Sequence, residues 1–454
     1  MREEFSNFKK FIKGKKVAVV GIGVSNTPLV KFLIELGANI IACDRKESLG
    51  DIEEYLLSNG CTLSLGEDYL EGILNADVVF RTPSLLPSNE YLVKAKENGA
   101  YVTSEIKELL KYAKGKIFAV TGSDGKTTTT TLIGEILKHS GKKVYIGGNI
   151  GTPLFTKIEE IGQDDFIVLE LSSFQLMDVT EGVDVSVITN VSPNHLDIHK
   201  DYEEYIEAKK NIIKSSKESS IIVLNKDNSI TDSIVSNGCI RKFSRRENAF
   251  AYSTSDSLYV NNTHVVDKRN IKLKGEHNVE NLLTAFAATF DYVSIDDMKA
   301  VSETFSGVAH RIEFVREFNG VKYYNDSIAS SPSRTLAGLQ SFTEKVILIC
   351  GGYDKNIPFE PLASEGIDKI KQLIVMGHTK EKIKSAFEDE MNKTGKKLPI
   401  YETISFEDAV LFAKTVAIEG DVIILSPACA SFDMFKNFEE RGNKFKEIVN
   451  ELND

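Results

Sequence analysis

KIFAVTGSDGKTTTTT, residues 116–131, packs an apolar strand, a glycine-punctuated turn and the opening of a helix into one run. Beyond it Leu132, Ile133, Ile136 and Leu137 recur at helical spacing, and Gly141 ends the pattern. A strand that feeds a glycine turn into a helix N-terminus is an anion cradle. Small residues let backbone N–H groups close around phosphate oxygens, and the helix end adds partial positive charge. Gly122, Ser123, Asp124 and Gly125 then form the cradle and Lys126 reaches the β- and γ-phosphates of a bound nucleotide. The Thr127 hydroxyl, followed by Thr128, faces a magnesium ion. Only two residues separate Gly122 from Gly125, so the loop is shorter than the GxxxxGK[ST] pattern. A glycine turn that merely happens to precede Lys-Thr would not account for the strand before it and the amphipathic helix after it. The loop alone does not separate kinase, switch, motor and ligase.

Upstream, KKVAVVGIGVSN reads as a buried strand into a glycine turn, LVKFLIELG as a helix stopped by Gly37, and NIIACD and ADVVFRTP as further strands. The charged stretch KELLKYAKGK leads to a fresh start at Ile117. Downstream come the strands DFIVLE and DVSVITNV, then short β-like pieces over 215–275 that include a hairpin, SLYV-NN-THVV. After His310 and Arg311 the rhythm resets with KVILICGGYDK, QLIVMGH and DVIILSPACASF. This alternation predicts three α/β domains. They are a Rossmann-like domain over 1–114, a central P-loop ATPase-like domain with an antiparallel β insertion over 115–311, and a doubly wound α/β domain over 312–454.

Composition narrows the function. A chain of 454 residues with a formal net charge of -11 lacks the basic surplus that a nucleic-acid partner demands. No apolar run approaches the length of a membrane span, and the N-terminus MREEFSNFKKFIKGKK has no export signal, so a cytoplasmic protein without membrane insertion is expected. Five scattered cysteines without a CxxC pair indicate neither a disulfide framework nor a zinc site. A monomer is the default expectation.

Glu170 closes the strand FIVLE, and NVSPNHLD follows the next apolar strand. Ligands gather at the carboxyl ends of strands in α/β sheets, which puts Glu170 and His195 beside the phosphate loop. Taken singly, Glu170 reads as a helix-capping acid and His195 as a surface imidazole. Beside a triphosphate they read as magnesium ligands, Glu170 being the better suited because the ion prefers oxygen.

The ordered series TGSDGKTT, GGNIGTPL, ELSSFQL, NVSPNHLDIH, EAKKNI, GEHNVENLLTA and AHRIEF resembles the Mur ligases of peptidoglycan synthesis. GIGVSN, Asp44-Arg45 and the segment LSPACASFDMFKNFEERGNKF resemble the branch that adds D-glutamate to UDP-N-acetylmuramoyl-L-alanine. The resemblance implies an ATP- and magnesium-dependent ligase of cell wall biogenesis, linked to cell shape and division. In it a carboxylate takes the γ-phosphoryl group to become an acyl phosphate, which an amine then attacks. It implies ATP on Gly122 to Thr128 with Asn278, Asn281, Arg311 and Asp326 around adenine, ribose and phosphates. Magnesium would lie on Thr127, Glu170, His195 and a carbamylated Lys209, and Lys126, His195 and Lys209 would carry catalysis. The nucleotide sugar would meet Gly23, Val24, Ser25, Asp44, Arg45, Thr82 and Pro83, with Asn149 and Ser172 near the reacting carboxylate. D-glutamate would meet Ser330, Lys355, Ser431 and Phe438.

Without the resemblance, Lys209 reads as a solvated helical charge and Asn278 and Asn281 as a helix cap and hydrogen-bonding residues. Two positions depart from the family pattern: Ser84 stands where a glycine is frequent after proline, and Ile328 where several members have lysine. Two rival readings are a nicotinamide-dinucleotide fold, from Gly21, Gly23 and Asp44, and a nucleotide switch. The first is weakened by Asn26 at the third glycine position of its fingerprint.

Overall fold

The structure, a computed structural model, describes residues 3–23, 26–151, 153–194, 198–273, 275–355 and 357–453. Residues 1–305 form one compact unit and residues 306–454 a second. Three separate sheets carry the chain.

The first sheet contains β1 (Lys16–Val20), β2 (Asn39–Asp44), β3 (Thr62–Leu65), β4 (Val78–Phe80) and β5 (Tyr101–Thr103), all parallel, in the order β3-β2-β1-β4-β5. Chain order reverses direction between β1 and β4, and the crevice at their carboxyl ends is where such sheets take ligands.

The second sheet has nine strands: β6 (Lys116–Thr121), β7 (Val144–Gly148), β8 (Phe166–Glu170), β9 (Val185–Ile188), β10 (Ile221–Asn225), β11 (Cys239–Ser244), β12 (Ala251–Ser253), β13 (Ser257–Val260) and β14 (Thr263–Asp267). They lie in the order β14-β13-β12-β11-β10-β9-β6-β8-β7. Central β6 and β8 are apolar and buried along nearly their whole length, as parallel strands covered on both faces must be. The antiparallel part is narrower than the 215–275 span expected: β10 and β11 pair in parallel, and only β12, β13 and β14 run antiparallel, as the continuous edge of the same sheet. The predicted hairpin joins β13 to β14 through Asn261 and Asn262, both at positive φ, the requirement of a tight two-residue turn.

The third sheet contains β15 (Glu313–Phe318), β16 (Val321–Asn325), β17 (Val346–Gly351), β18 (Ile370–Met376), β19 (Ile400–Glu402) and β20 (Val422–Leu425), in the order β15-β16-β20-β17-β18-β19. It is parallel except for the β15–β16 hairpin, turned by Asn319-Gly320 at positive φ.

The first two sheets share a core. The first six residues of KELLKYAKGK, 107–112, lie on a helix, Glu105–Tyr112, that buries Ile106, Leu109, Leu110 and Tyr112. Phe5 and Phe8, from the N-terminal helix Phe5–Ile12, pack edge-on against Phe155 with centroids 5.8 and 5.1 Å away. One hydrophobic cluster therefore runs from Val17 and Phe80 through Leu109 to Ile117 and Leu169.

Candidate functional site

The phosphate loop joins β6 to the helix Lys126–His139. Its glycines are needed for space and backbone shape. A Cβ on Gly122 would lie 1.9 Å from Thr189 Oγ1; Gly125, at φ 77°, would put one 2.4 Å from Asn281 Oδ1. Carbonyls and side chains after β9 hold the loop. Ser123 N donates to Asn190 O and Asp124 N to Asn190 Oδ1, both at 2.9 Å, and Thr189 Oγ1 donates to Asp124 O at 2.6 Å. Lys126 Nζ donates to Gly122 O and Ser123 O at 2.9 and 2.8 Å. Thr127 is buried in the first turn. Asn281 and Asn278 reach the same place from the helix Glu276–Thr289: Thr129 Oγ1 donates to Asn281 Oδ1 at 3.1 Å, and Asn281 Nδ2 donates to Asn278 Oδ1 at 3.0 Å.

Lys209 is not a solvated charge. It is buried on the helix Tyr202–Lys214, donates to Gly122 O at 2.7 Å and sits over the Tyr205 ring. Burial, then the neighbouring Lys126 ammonium, pushes its pKa down to about 7, so near neutral pH much of it is a free amine.

Glu170 ends β8 alongside β7. Its Oε1 accepts from Asn149 Nδ2 at 2.9 Å, while Oε2 is buried with no hydrogen-bond partner. A donor-less buried carboxylate oxygen is costly, and a hard cation would satisfy it. No cluster of three His, Cys, Asp or Glu side chains occurs among the described residues. The Glu170 carboxylate oxygen suits magnesium, which prefers oxygen ligands, keeps waters and takes substrate phosphates. His195, Val24 and Ser25 lie outside the described residues.

A cavity of about 420 Å³ opens where the carboxyl ends of β1 and β4 meet that of β7. Gly23, Asp44, Thr82, Pro83 and Asn149 line it, so five residues assigned by resemblance to the nucleotide sugar converge on one space. The Asp44 carboxylate accepts from Ile22 N at 2.7 Å and Lys46 N at 2.9 Å, fixing the glycine turn. Asn26 also serves that turn, donating to Val20 O and Gly21 O at 3.0 and 2.8 Å. Arg45 is exposed and its neighbour Lys46 lines the cavity instead. Ser172 caps the short helix Ser173–Leu176 in a reciprocal capping box with Gln175, and Gln175 faces the cavity. Ser84 has no positive φ, so its turn, closed by Leu85 N donating to Thr82 O, needs no glycine. Sequence reading missed Arg81, Lys46, Glu105 and Gln175 as lining residues; Arg81 and Gln175 stand inside quoted motifs.

In the second unit Asp326 follows β16 and is buried. It accepts from Ser426 Oγ at 2.7 Å and Ile312 N at 3.2 Å, yet burial outweighs these bonds and pushes its pKa up to about 6. Arg311 is exposed on this unit. Lys355 Nζ donates to Ser330 O and Oγ at 3.3 and 3.4 Å, and burial lowers its pKa. A bridge between Tyr353 and Ala430 brings the Lys355 segment beside that of buried Ser431, and Ser327 Oγ donates to Phe438 O at 2.9 Å. Ile328 is half-buried and its N–H donates to His310 O. Sequence reading also missed Arg441, fully buried, whose guanidinium donates to Ser327, Cys429 and Ala430 and braces these segments.

Residues 120–289 match the Mur ligase middle domain, and residues 310–429 match the Mur ligase glutamate ligase domain. The chain is 57% identical to the UDP-N-acetylmuramoylalanine–D-glutamate ligase of Clostridium novyi and 54% identical to that of Clostridium perfringens, over the full length of each pair. Among solved structures it resembles UDP-N-acetylmuramate-alanine ligase MurC of Thermotoga maritima (TM-score 0.56, 19% identity, 96% of this chain and 99% of that one). It also resembles MurF of Acinetobacter baumannii (TM-score 0.56, 16% identity, 97% and 92%). These distant structures share the fold, while the close relatives match the entire chain, phosphate loop and terminal segments alike, and on that ground the chain belongs to the Mur ligase family.

Proposed function

We propose that this chain is the ligase that adds D-glutamate to UDP-N-acetylmuramoyl-L-alanine at the expense of ATP, in the cytoplasm, during peptidoglycan precursor synthesis. The observation that carries the reading is the meeting of the phosphate loop, the orphaned Glu170 Oε2 and the Asn149-lined cavity within one compact unit. The domains divide as a nucleotide-sugar domain over 1–114, an ATP domain over 115–311 and an amino-acid domain over 312–454.

The loop amides from Gly122 to Thr128 hold the ATP phosphates, and Lys126 leaves its loop carbonyls to neutralise charge on the transferring phosphoryl group. Asn278, Asn281, Arg311 and Asp326 serve the rest of the nucleotide. Thr127, Glu170, His195 and Lys209 would hold magnesium, which supplies charge neutralisation for the phosphates when bound. As a free amine Lys209 Nζ attacks carbon dioxide, forming an N–C bond and losing a proton, and the resulting carbamate offers oxygen ligands where an ammonium would repel the ion. Gly23, Val24, Ser25, Asp44, Arg45, Thr82 and Pro83 hold the nucleotide sugar, and Asn149 and Ser172 orient its carboxylate. Ser330, Lys355, Ser431 and Phe438 receive D-glutamate. Its amine attacks the acyl phosphate and phosphate departs, leaving the amide.

A phosphate-release assay with ATP, magnesium and UDP-N-acetylmuramoyl-L-alanine, run against a panel of D- and L-amino acids, tests the reading. Release with D-glutamate and not with L-alanine or a diamino acid is expected. No release with any amino acid would overturn it.

A further inference from the structure

Arg81 stands at the end of β4, immediately before the turn Thr82–Leu85, and is 3% exposed. Its planar group uses its donors in two directions. Towards the turn, Nη1 donates to Thr82 O and Leu85 O, both at 3.4 Å. Across to the second sheet, Nε donates to Asp178 Oδ2 at 3.2 Å, and Nη2 donates to Asp178 Oδ1 and, at 3.1 Å, to Phe174 O. Lys107 Nζ approaches the same carboxylate at 3.9 Å.

The partner across the divide is the four-residue helix Ser173–Leu176, too short to satisfy its own last carbonyls. Outside groups do so. Arg81 takes Phe174 O, and Asn211, two residues beyond Lys209, donates to Leu176 O and Met177 O at 2.8 and 3.1 Å. Ser173 Oγ lies 2.9 Å from His199 Nε2, whose Nδ1 lies 3.2 Å from Glu204. The helix is thus gripped along its length, and its cap Ser172 is two residues from Glu170. A cation at a helix C-terminus is also favoured by the helix dipole.

We infer that Arg81 is a positioning residue that fixes the nucleotide-sugar turn in register with Glu170 and Asn149, so that a substrate held at Thr82 and Pro83 presents its carboxylate at the phosphate-loop end. This rests on the nucleotide-sugar reading of the cavity. Arg81 acts through the turn and the short helix. A lysine could not replace it, because one ammonium cannot serve a carboxylate and three carbonyls in separate directions.

The test measures binding of UDP-N-acetylmuramoyl-L-alanine and of ATP by calorimetry, with KM and kcat, in the full chain, in Arg81→Lys and in the double variant Arg81→Met with Asp178→Leu. The double variant guards against misfolding, because exchanging a buried ion pair for apolar residues of similar volume is commonly tolerated. In both variants nucleotide-sugar binding is expected to weaken at least tenfold and its KM to rise, while ATP binding stays within twofold. Unchanged nucleotide-sugar binding in the folded double variant would overturn the inference, as would an equal loss of ATP binding. If the unaltered chain fails to bind the nucleotide sugar at all, the reading of the cavity falls and takes the inference with it.

Discussion

Replacing Asp326 with asparagine isolates one ionisation. The ordinary value of its carboxyl, 3.8, is pushed up to about 6 by burial, despite hydrogen bonds from Ser426 and the Ile312 amide. A difference of about two units corresponds to about 3 kcal/mol. The sign follows from proton counting: between the two values the folded chain holds a proton that the unfolded chain has released. Stability from this group is therefore complete below about pH 4 and is lost as pH rises through about 6. About 2 kcal/mol of that loss falls between about pH 4.5 and about pH 7. Asparagine cannot ionise, and any cost of its altered hydrogen bonds, about 1–3 kcal/mol, is the same at every pH. Denaturant unfolding of both proteins, followed at several pH values over that range, gives a difference in unfolding free energy that moves by about 2 kcal/mol in favour of the variant as pH rises. Every other titrating group cancels in that difference. Parallel stability curves would refute the claim that Asp326 is a buried, reluctantly charged acid.

Gly125→Ala combines left-handed strain of about 1–2 kcal/mol with displacement of Asn281, about 1 kcal/mol more, and is expected to raise the KM for ATP ten- to a hundredfold without altering nucleotide-sugar binding by calorimetry. Lys126→Ala is expected to abolish phosphate release while D-glutamate contacts, on another unit of the chain, stay intact; wild-type turnover would contradict its role. With Lys209 near a pKa of about 7, the free-amine fraction grows as pH rises, so a carbamate signal from ¹³C-bicarbonate by NMR is expected to be stronger at about pH 8 than at about pH 6 and absent in Lys209→Ala.

The phosphate loop, the strand end bearing Glu170, and the β13–β14 hairpin were legible because each depends on local rules: glycine at tight approaches, strand into helix, Asn-Asn at a two-residue turn; Asn149 came from the resemblance alone. The β15–β16 hairpin carried an equally local signal, Asn319-Gly320, that went unread. Arg81 and Arg441 were not legible as determinants. Their roles arise from carbonyls and carboxylates brought close by tertiary packing, as with Asp178, 97 positions away from Arg81. The burial that makes Lys209 unusual is likewise a tertiary property: EAKKNI by itself describes an exposed helix face. The apolar stripe within KELLKYAKGK went unread for the same reason, since its lysines surround Leu109, Leu110 and Tyr112, which join the cluster that holds Phe155.

Severing the chain near residue 114, where the motif pattern invites a cut, would rob Phe155 of its three ring neighbours, Phe5, Phe8 and Phe32, and bare greasy faces on the two fragments. Sheets that look like separate modules on paper are welded through that aromatic seam. The first 305 residues are therefore expected to unfold in one calorimetric transition, and the N-terminal sheet made by itself to expose an apolar face that favours aggregation.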